Sequence, residues 1–248
     1  MKFLVGDIGN TSTKICILNT KFRILRSYNF ETNEMYRSNF FNVITRKKIN
    51  KNLNSVFLFS SVVPKVLGSI KKKFKSTNYK ILELKNLNLN KVIKINVKNK
   101  KQLGSDRIAN AIGAKKFKNC LVLDFGTATT FDVIKNGVYE GGVIAPGVKL
   151  SIKNLSKATA LLPSIDLKAN QKKYGKNTKE ALNAGFVWGY EGLINNILNK
   201  IISKNKIKYK IILTGGYANF FKKMIKKSVM VDQDITVKGI ANVYKELI

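Results

Sequence analysis

The sequence predicts an α/β protein of two similar lobes, each a mixed sheet flanked by helices. Three observations predict it. A short turn motif occurs twice, as Asp7-Ile-Gly-Asn-Thr-Ser-Thr13 and as Asp124-Phe-Gly-Thr-Ala-Thr-Thr130, 117 positions apart. Each copy stands at the end of an apolar strand and opens a hairpin. The segments after each copy alternate short apolar runs with helix-period stretches, so the chain restarts its own pattern halfway along. The expected lobes are residues 1–117 and 118–248, with the repeated turns facing each other across a cleft.

The elements follow in order. Phe3–Asp7 reads as a buried strand, Gly9-Asn10-Thr11-Ser12-Thr13 as a polar turn, and Lys14–Leu18 as its antiparallel partner. After a turn at Asn19-Thr20-Lys21, Arg23–Phe30 makes a third strand. Met35–Lys47 is expected to be helical. Ser55–Ser61 is a short apolar strand, and Pro64 opens a helix to Lys75, since proline suits the first turn. Lys80–Leu84 and Val92–Asn96 read as strands, and Asp106–Lys116 as a helix. In the second half, Cys120–Asp124, Thr129–Ile134 and Val138–Ile144 are strands. Asn136-Gly137 is a hairpin signal, because both positions tolerate positive φ. Helices are expected from Pro146-Gly147 to about Ala160, over Thr178–Ile202, over Asn219–Lys227 and over Lys238–Leu247, with a strand at Lys208–Leu213.

Composition narrows the chemistry. The 248 residues are 44% hydrophobic, enough for a core, and no apolar run approaches the ~20 residues of a membrane span. Without a signal-peptide pattern at the start, a cytoplasmic protein is expected. Cys16 and Cys120 each lie in an apolar run and read as small buried hydrophobes. The net charge of +32 comes mostly from lysines scattered along the chain among many Asn and Ile, the residues an AT-rich coding sequence over-produces. The runs Lys71–Lys73 and Lys222–Lys227 read as solvated helix faces. With no base-reading module and no Arg cluster, specific nucleic-acid binding is not expected. There is no histidine, so Ser-His-Asp and Cys-His devices and His-ligated zinc are excluded. A general base must be Asp, Glu, Lys or Tyr.

Four turn motifs, one of them present twice, carry candidate chemistry. In an Asp-x-Gly-[Asn/Thr]-x-[Ser/Thr]-Thr turn, glycine admits close backbone approach and successive N–H and hydroxyl groups can cradle phosphate oxygens. The Asp can hold a cation or a metal-bound water, and Lys14 adds a point charge. One copy would be an ordinary hairpin; two copies favour phosphate binding. Gly104-Ser105-Asp106-Arg107 is the candidate reaction site, with Asp106 to accept a proton and Arg107 to bind a carboxylate or phosphoryl group. An N-cap Asp beside an exposed Arg is the alternative reading. Gly141-Gly142-Val143-Ile144-Ala145-Pro146-Gly147 and Thr214-Gly215-Gly216 are Gly-rich turns that shape a pocket or receive a nucleotide, or serve tight packing.

Taken together with Asn177-Thr178, these motifs in this order resemble the type III pantothenate kinases, members of the acetate and sugar kinase/heat-shock/actin superfamily. The resemblance implies ribonuclease H-like, actin-like ATPase lobes with the nucleotide in the cleft between them, and ATP-dependent phosphorylation of pantothenate to 4′-phosphopantothenate, the first step toward coenzyme A. It implies ATP binding by Asp7, Ile8, Gly9, Asn10, Thr11, Ser12, Thr13, Lys14 and Thr127, with Mg²⁺ on the phosphates. It makes Asp106 the base, with Gly104, Ser105, Asp106, Arg107 and Thr178 contacting pantothenate, and Asp124 a ligand of a monovalent cation, K⁺ or NH₄⁺. It also implies a homodimer, with Thr178 acting across the interface. Val97 and Lys100 depart from the Tyr and Pro common in that family. Two alternatives stay open: a kinase of the same fold for another small hydroxy acid or sugar, and a non-catalytic basic regulatory or nucleic-acid-binding homologue.

Overall fold

A computed structural model describes residues 1–36, 52–169, 173–203 and 207–248. Its contacts group the chain into two compact units. The first contains Met1–Lys116, Gly137–Tyr139 and Asp234–Ile248, and the second contains Phe117–Asn136 and Glu140–Gln233.

The first unit is built on a five-stranded sheet of β1 (Lys2–Ile8), β2 (Ser12–Leu18), β3 (Ile24–Glu31), β4 (Leu53–Ser61) and β5 (Lys80–Glu83), in the order β3-β2-β1-β4-β5. β1 is antiparallel to β2 and parallel to β4. The period of two sends Leu4 and Ile8 of β1, Ile15 of β2 and Phe57 and Phe59 of β4 to one face. There they pack on Val66, Leu67 and Ile70 of helix α1 (Pro64–Lys73) and on Phe74. Pro64 sits in the first turn of α1, and Lys71, Lys72 and Lys73 fill its last turn, where cations suit the helix dipole.

Two helices of this unit pack closely on each other, α2 (Ser105–Gly113) and α6 (Ile235–Leu247). Two glycines permit the approach: a Cβ on Gly239 would collide with the Ala109 carbonyl, and one on Gly113 with the Ile235 carbonyl. Asn110, fully buried in α2, is satisfied by Thr236 Oγ1 at 2.6 Å. Tyr244 Oη donates to the Val56 carbonyl of β4 at 2.9 Å, and the Tyr244 ring lies against Phe3 and Phe22. The tail expected in the second lobe therefore packs on the first.

The second sheet contains β7 (Cys120–Phe125), β8 (Ala128–Lys135), β9 (Val138–Pro146), β10 (Lys210–Gly215) and β11 (Val229–Val231). With the two-residue β6 (Lys94–Ile95) its order is β11-β10-β7-β8-β9-β6. Asn136 and Gly137 take φ of +52° and +76°, the mirror-image turn that matches strand twist. Leu121, Leu123, Phe125, Phe131, Ile211 and Leu213 pack on three helices: α3 (Val148–Ala158), α4 (Thr178–Ser203) and the short α5 (Ala218–Phe221).

Apart from β6, the two sheets share one order, β3-β2-β1-β4-β5 against β9-β8-β7-β10-β11, and β7, like β1, is antiparallel to the strand after it and parallel to its other neighbour. The repeat read from fourteen residues thus extends to the whole sheet plan. Among the described residues no helix is long and apolar enough to cross a membrane.

Two expected elements differ, and a third is described only at its start. The helix over Asn219–Lys227 stops at Phe221, because Asn195 of α4 takes over the next backbone groups. Its Nδ2 donates to the Met224 carbonyl at 3.0 Å, and its Oδ1 accepts from Lys226 N at 3.0 Å. The strand over Val92–Asn96 shrinks to Lys94–Ile95, since Val92 N and Ile93 N both close a turn onto the Leu89 carbonyl. Of Met35–Lys47, only Met35 and Tyr36 are described, at the end of a 3₁₀ turn (Thr32–Tyr36), and the rest lies outside the described residues.

Candidate active site

The first repeated turn is held from below. Gly9 N donates to the Ser12 carbonyl at 3.0 Å, closing the loop between β1 and β2. Thr32 braces it: its Oγ1 donates to the Gly9 carbonyl at 2.7 Å and lies 3.0 Å from Oγ1 of the buried Thr13, and its N–H donates to the Thr11 carbonyl. Asn10, Thr11 and Ser12 are left exposed at the tip, as a ligand-binding loop requires. Ile8 and Thr13 point into the core. Asp7 sits directly across from Lys14 of β2 and Ser60 of β4. By register all three side chains share one face of the sheet. On that face Lys14 Nζ pairs with Asp234 at 2.6 Å.

The second turn is one residue shorter, with Phe125 paired to Thr129 where Ile8 pairs with Thr13, and it has different partners. Gly126 N donates to the Ala128 carbonyl at 3.1 Å. Asp124 lies across from Thr130 of β8 and Thr214 of β10. Gly215 has φ +83°, a region where only glycine is unstrained, and a Cβ there would stand 2.6 Å from Asp124 Oδ1 and 2.7 Å from the Phe125 backbone. Glycine is therefore required at Gly215, where the turn presses on Asp124, while a side chain on Gly216 would meet open space; Gly216 N donates to the Phe125 carbonyl at 3.1 Å. Gly147 presses likewise on the Thr127 carbonyl, with no room for a side chain. This ties the Gly141–Gly147 segment to the turn that carries Thr127.

The third motif starts α2. Gly104 is the N-cap residue and offers no capping side chain. A Cβ on Gly104 would collide with Asp106 Oδ1, so the carboxyl folds back over that glycine. Asp106 Oδ1 accepts from Arg107 N at 2.8 Å. Burial pushes the Asp106 carboxyl above its ordinary range, and its hydrogen bonds and the charges of Arg107 and Lys85 pull it partly back. Ser105 is buried, and its Oγ donates to Glu83 Oε1 at 2.8 Å. A half-buried carboxylate of raised proton affinity beside a guanidinium is a fit arrangement for accepting a proton from an alcohol near neutral pH.

Thr178 begins α4 and is exposed, next to a reciprocal lock in which Asn177 Oδ1 accepts from Glu180 N and Asn177 Nδ2 donates to Glu180 Oε1. Cys16 and Cys120 are buried free thiols, and burial pushes Cys120 up to about 12.

Sequence reasoning missed Asp234, which lies 220 positions from Lys14. It also missed Glu83, which read only as strand, and Ser60; Thr130 and Thr214 stand in the recognised turns, but their place beside Asp124 depends on strand register.

Comparison with known proteins agrees with the geometry. The chain is 50% identical to the type III pantothenate kinase of Pelagibacter ubique over 241 residues, covering 96% of each chain. It is 33% identical to that of Sulfurihydrogenibium sp., covering 96% of this chain and 97% of the relative. Among solved structures, a candidate Baf family transcriptional activator from Campylobacter jejuni aligns at TM-score 0.64 and 20% identity, with 98% of each chain covered. A candidate 2-dehydro-3-deoxygalactonokinase from Sinorhizobium meliloti aligns at TM-score 0.63 and 10% identity over 98% of each. At those identities the structures speak for the fold alone, and with further sugar-kinase neighbours they give it as the actin-like sugar-kinase fold. The sequence profile of type III pantothenate kinases matches residues 3–200, and the chain belongs to that family.

Proposed function

We propose that this protein transfers the γ-phosphoryl group of ATP to the primary hydroxyl of pantothenate, giving 4′-phosphopantothenate in the cytoplasm, with Asp106 as general base. Family membership supports the reaction, and one observation carries the base: the half-buried Asp106 carboxyl at the start of α2, with Arg107 beside it. Phosphoryl transfer depends on positioning and charge neutralisation more than on a protein nucleophile. In this reading Gly104 to Arg107 and Thr178 contact pantothenate, and Asp106 takes the hydroxyl proton as the oxygen attacks.

Asp7 to Lys14 and Thr127 bind ATP. The exposed loop at Asn10–Ser12 offers amides and hydroxyls to the phosphates, and Lys14 an ammonium. Mg²⁺ rides on the phosphates, where it neutralises the charge that develops during transfer. The Asp124 site fits a monovalent cation. One carboxylate with the hydroxyls of Thr130 and Thr214 on the same face is an all-oxygen donor set suited to a hard ion. The protein acts as a homodimer in this reading.

The test is a coupled assay of ADP release with pantothenate and a panel of small hydroxy acids and sugars, with and without K⁺. Turnover with pantothenate is expected. Turnover on other members of the panel and none on pantothenate would overturn the assignment.

A further inference from the structure

Glu83 has no part in the scheme above, yet it is bonded to the reaction site. It ends β5, is 8% exposed, and its Oε1 accepts from Ser105 Oγ at 2.8 Å. Ser105 is the first residue of α2 and the immediate neighbour of Asp106. Most helices fix their first turn with an N-cap side chain that accepts from the open amides. Here the N-cap is Gly104, so that device is missing, and the bond to Glu83 comes from the adjoining strand instead.

A second grip lies two residues on. Lys85 Nζ donates to the Lys101 carbonyl at 2.9 Å, in the 3₁₀ turn (Lys100–Gln102) that leads into Gly104. The end of β5 therefore holds the reacting segment on both sides of Gly104. Glu83 lines a pocket of about 340 Å³ together with Lys71, Lys85, Ser61 and Asn86. Burial pushes its carboxyl above the ordinary range, and Ser105, Lys85 and Lys71 pull it partly back.

We propose that Glu83 is a positioning residue for Asp106: through Ser105 Oγ it fixes the first turn of α2, so that the Asp106 carboxyl stays aimed at the substrate hydroxyl. This rests on the reading of Asp106 as base. Misplacing a reacting group by about 1 Å can cost about 100-fold in rate. Glu83→Ala should then lower kcat by about 10- to 100-fold and leave KM for ATP unchanged. Glu83→Gln keeps an oxygen for the Ser105 hydroxyl and should stay within about threefold of wild type.

The experiment measures kcat and both KM values for the two variants in the full chain, with amide hydrogen exchange across α2 and α6. Faster exchange is expected only at the first turn of α2 in Glu83→Ala. Wild-type kcat in Glu83→Ala overturns the proposal. So does an equal loss in Glu83→Gln, or a uniform loss of protection over both helices, which would mark a merely structural role. If Glu83→Ala does not fold, Ser105→Ala removes the same bond from the other side. Wild-type kcat and unchanged exchange in that variant overturn the proposal. If the wild-type protein fails to turn over pantothenate, the functional assignment falls, while the exchange pattern still decides whether Glu83 holds the turn.

Discussion

Replacing Asp106 by Asn should separate activity from stability, moving them in opposite directions. Asn is nearly isosteric and keeps an oxygen to accept from Arg107 N, which Asp106 Oδ1 now does at 2.8 Å. What is lost is the basic site. A positioned general base supplies about 10²- to 10⁴-fold, which at 1.36 kcal/mol per tenfold is about 3–5 kcal/mol of barrier. Turnover should fall by that factor, and KM for ATP should hold. In the wild type, kcat/KM should fall on the acid side as Asp106 takes up a proton, at a pH above the ordinary Asp range, because burial raises its proton affinity.

Stability should respond with the other sign. The folded state holds the Asp106 proton more tightly than the unfolded chain, whose Asp titrates near about 3.9. Between the two pKa values the folded protein binds more protons, so stability falls as pH rises through that window. Above the folded value the full cost of a buried charge is present. Asp106→Asn removes it, and the variant should melt above wild type at neutral pH, the gap closing as pH falls toward 4. A coupled kinase assay and melting curves at several pH values read both effects. Near-normal turnover would refute the base, and a lower melting temperature at neutral pH would refute the argument from burial.

Three further outcomes follow from the geometry. Lys14→Met removes an ion pair whose side chains are 27% and 40% exposed, so denaturant titration should show a stability change within about 1 kcal/mol, while KM for ATP rises about tenfold or more; an unchanged KM would take Lys14 out of the phosphate site. Gly239→Ala forces a methyl group onto the Ala109 carbonyl where α6 crosses α2, and urea unfolding should show a loss of about 1–3 kcal/mol or more. Asp124→Asn should abolish stimulation by K⁺ in the coupled assay and leave the K⁺-independent rate in place; undiminished stimulation would move the cation elsewhere.

The sequence carried the strand plan because it is local. Apolar runs ending in Asp-x-Gly turns specify β1–β2 and β7–β8, and Asn136-Gly137 specifies a turn that needs two positive φ values. Side chains that reach across the chain overrode local propensity elsewhere. Asn195 ended the helix at Phe221 by taking the Met224 carbonyl, which no pattern in 219–227 announces. The site was legible where glycine and aspartate sit side by side in a turn. Asp234 and Glu83 were not, because each matters only through a partner distant in sequence: Lys14 is 220 positions from the first, and Ser105 is 22 from the second. The closing helix was assigned by its position in the chain, but its packing partners are α2 and β1.

The two Asp-x-Gly turns put a carboxylate at the same place in each sheet, but the first loop is one residue longer and the neighbours of the carboxylate differ. Asp7 has an ammonium on one side, Lys14, and a hydroxyl on the other, Ser60. Lys14 also pairs with Asp234 at 2.6 Å, so two carboxylates offset its charge, while its side chain stays 27% exposed. What it adds beside Asp7 is an ammonium donor, the kind of group a phosphate oxygen accepts from. Asp124 has hydroxyls on both sides and Gly215 pressed against its Oδ1. Those hydroxyl neighbours are oxygen donors, the kind of set a hard cation takes in the function proposed above. Both sheets carry a carboxylate at the same place. In the function proposed above, the position across from it, Lys14 in the first sheet and Thr130 in the second, is what separates a turn for phosphates from a turn for a cation.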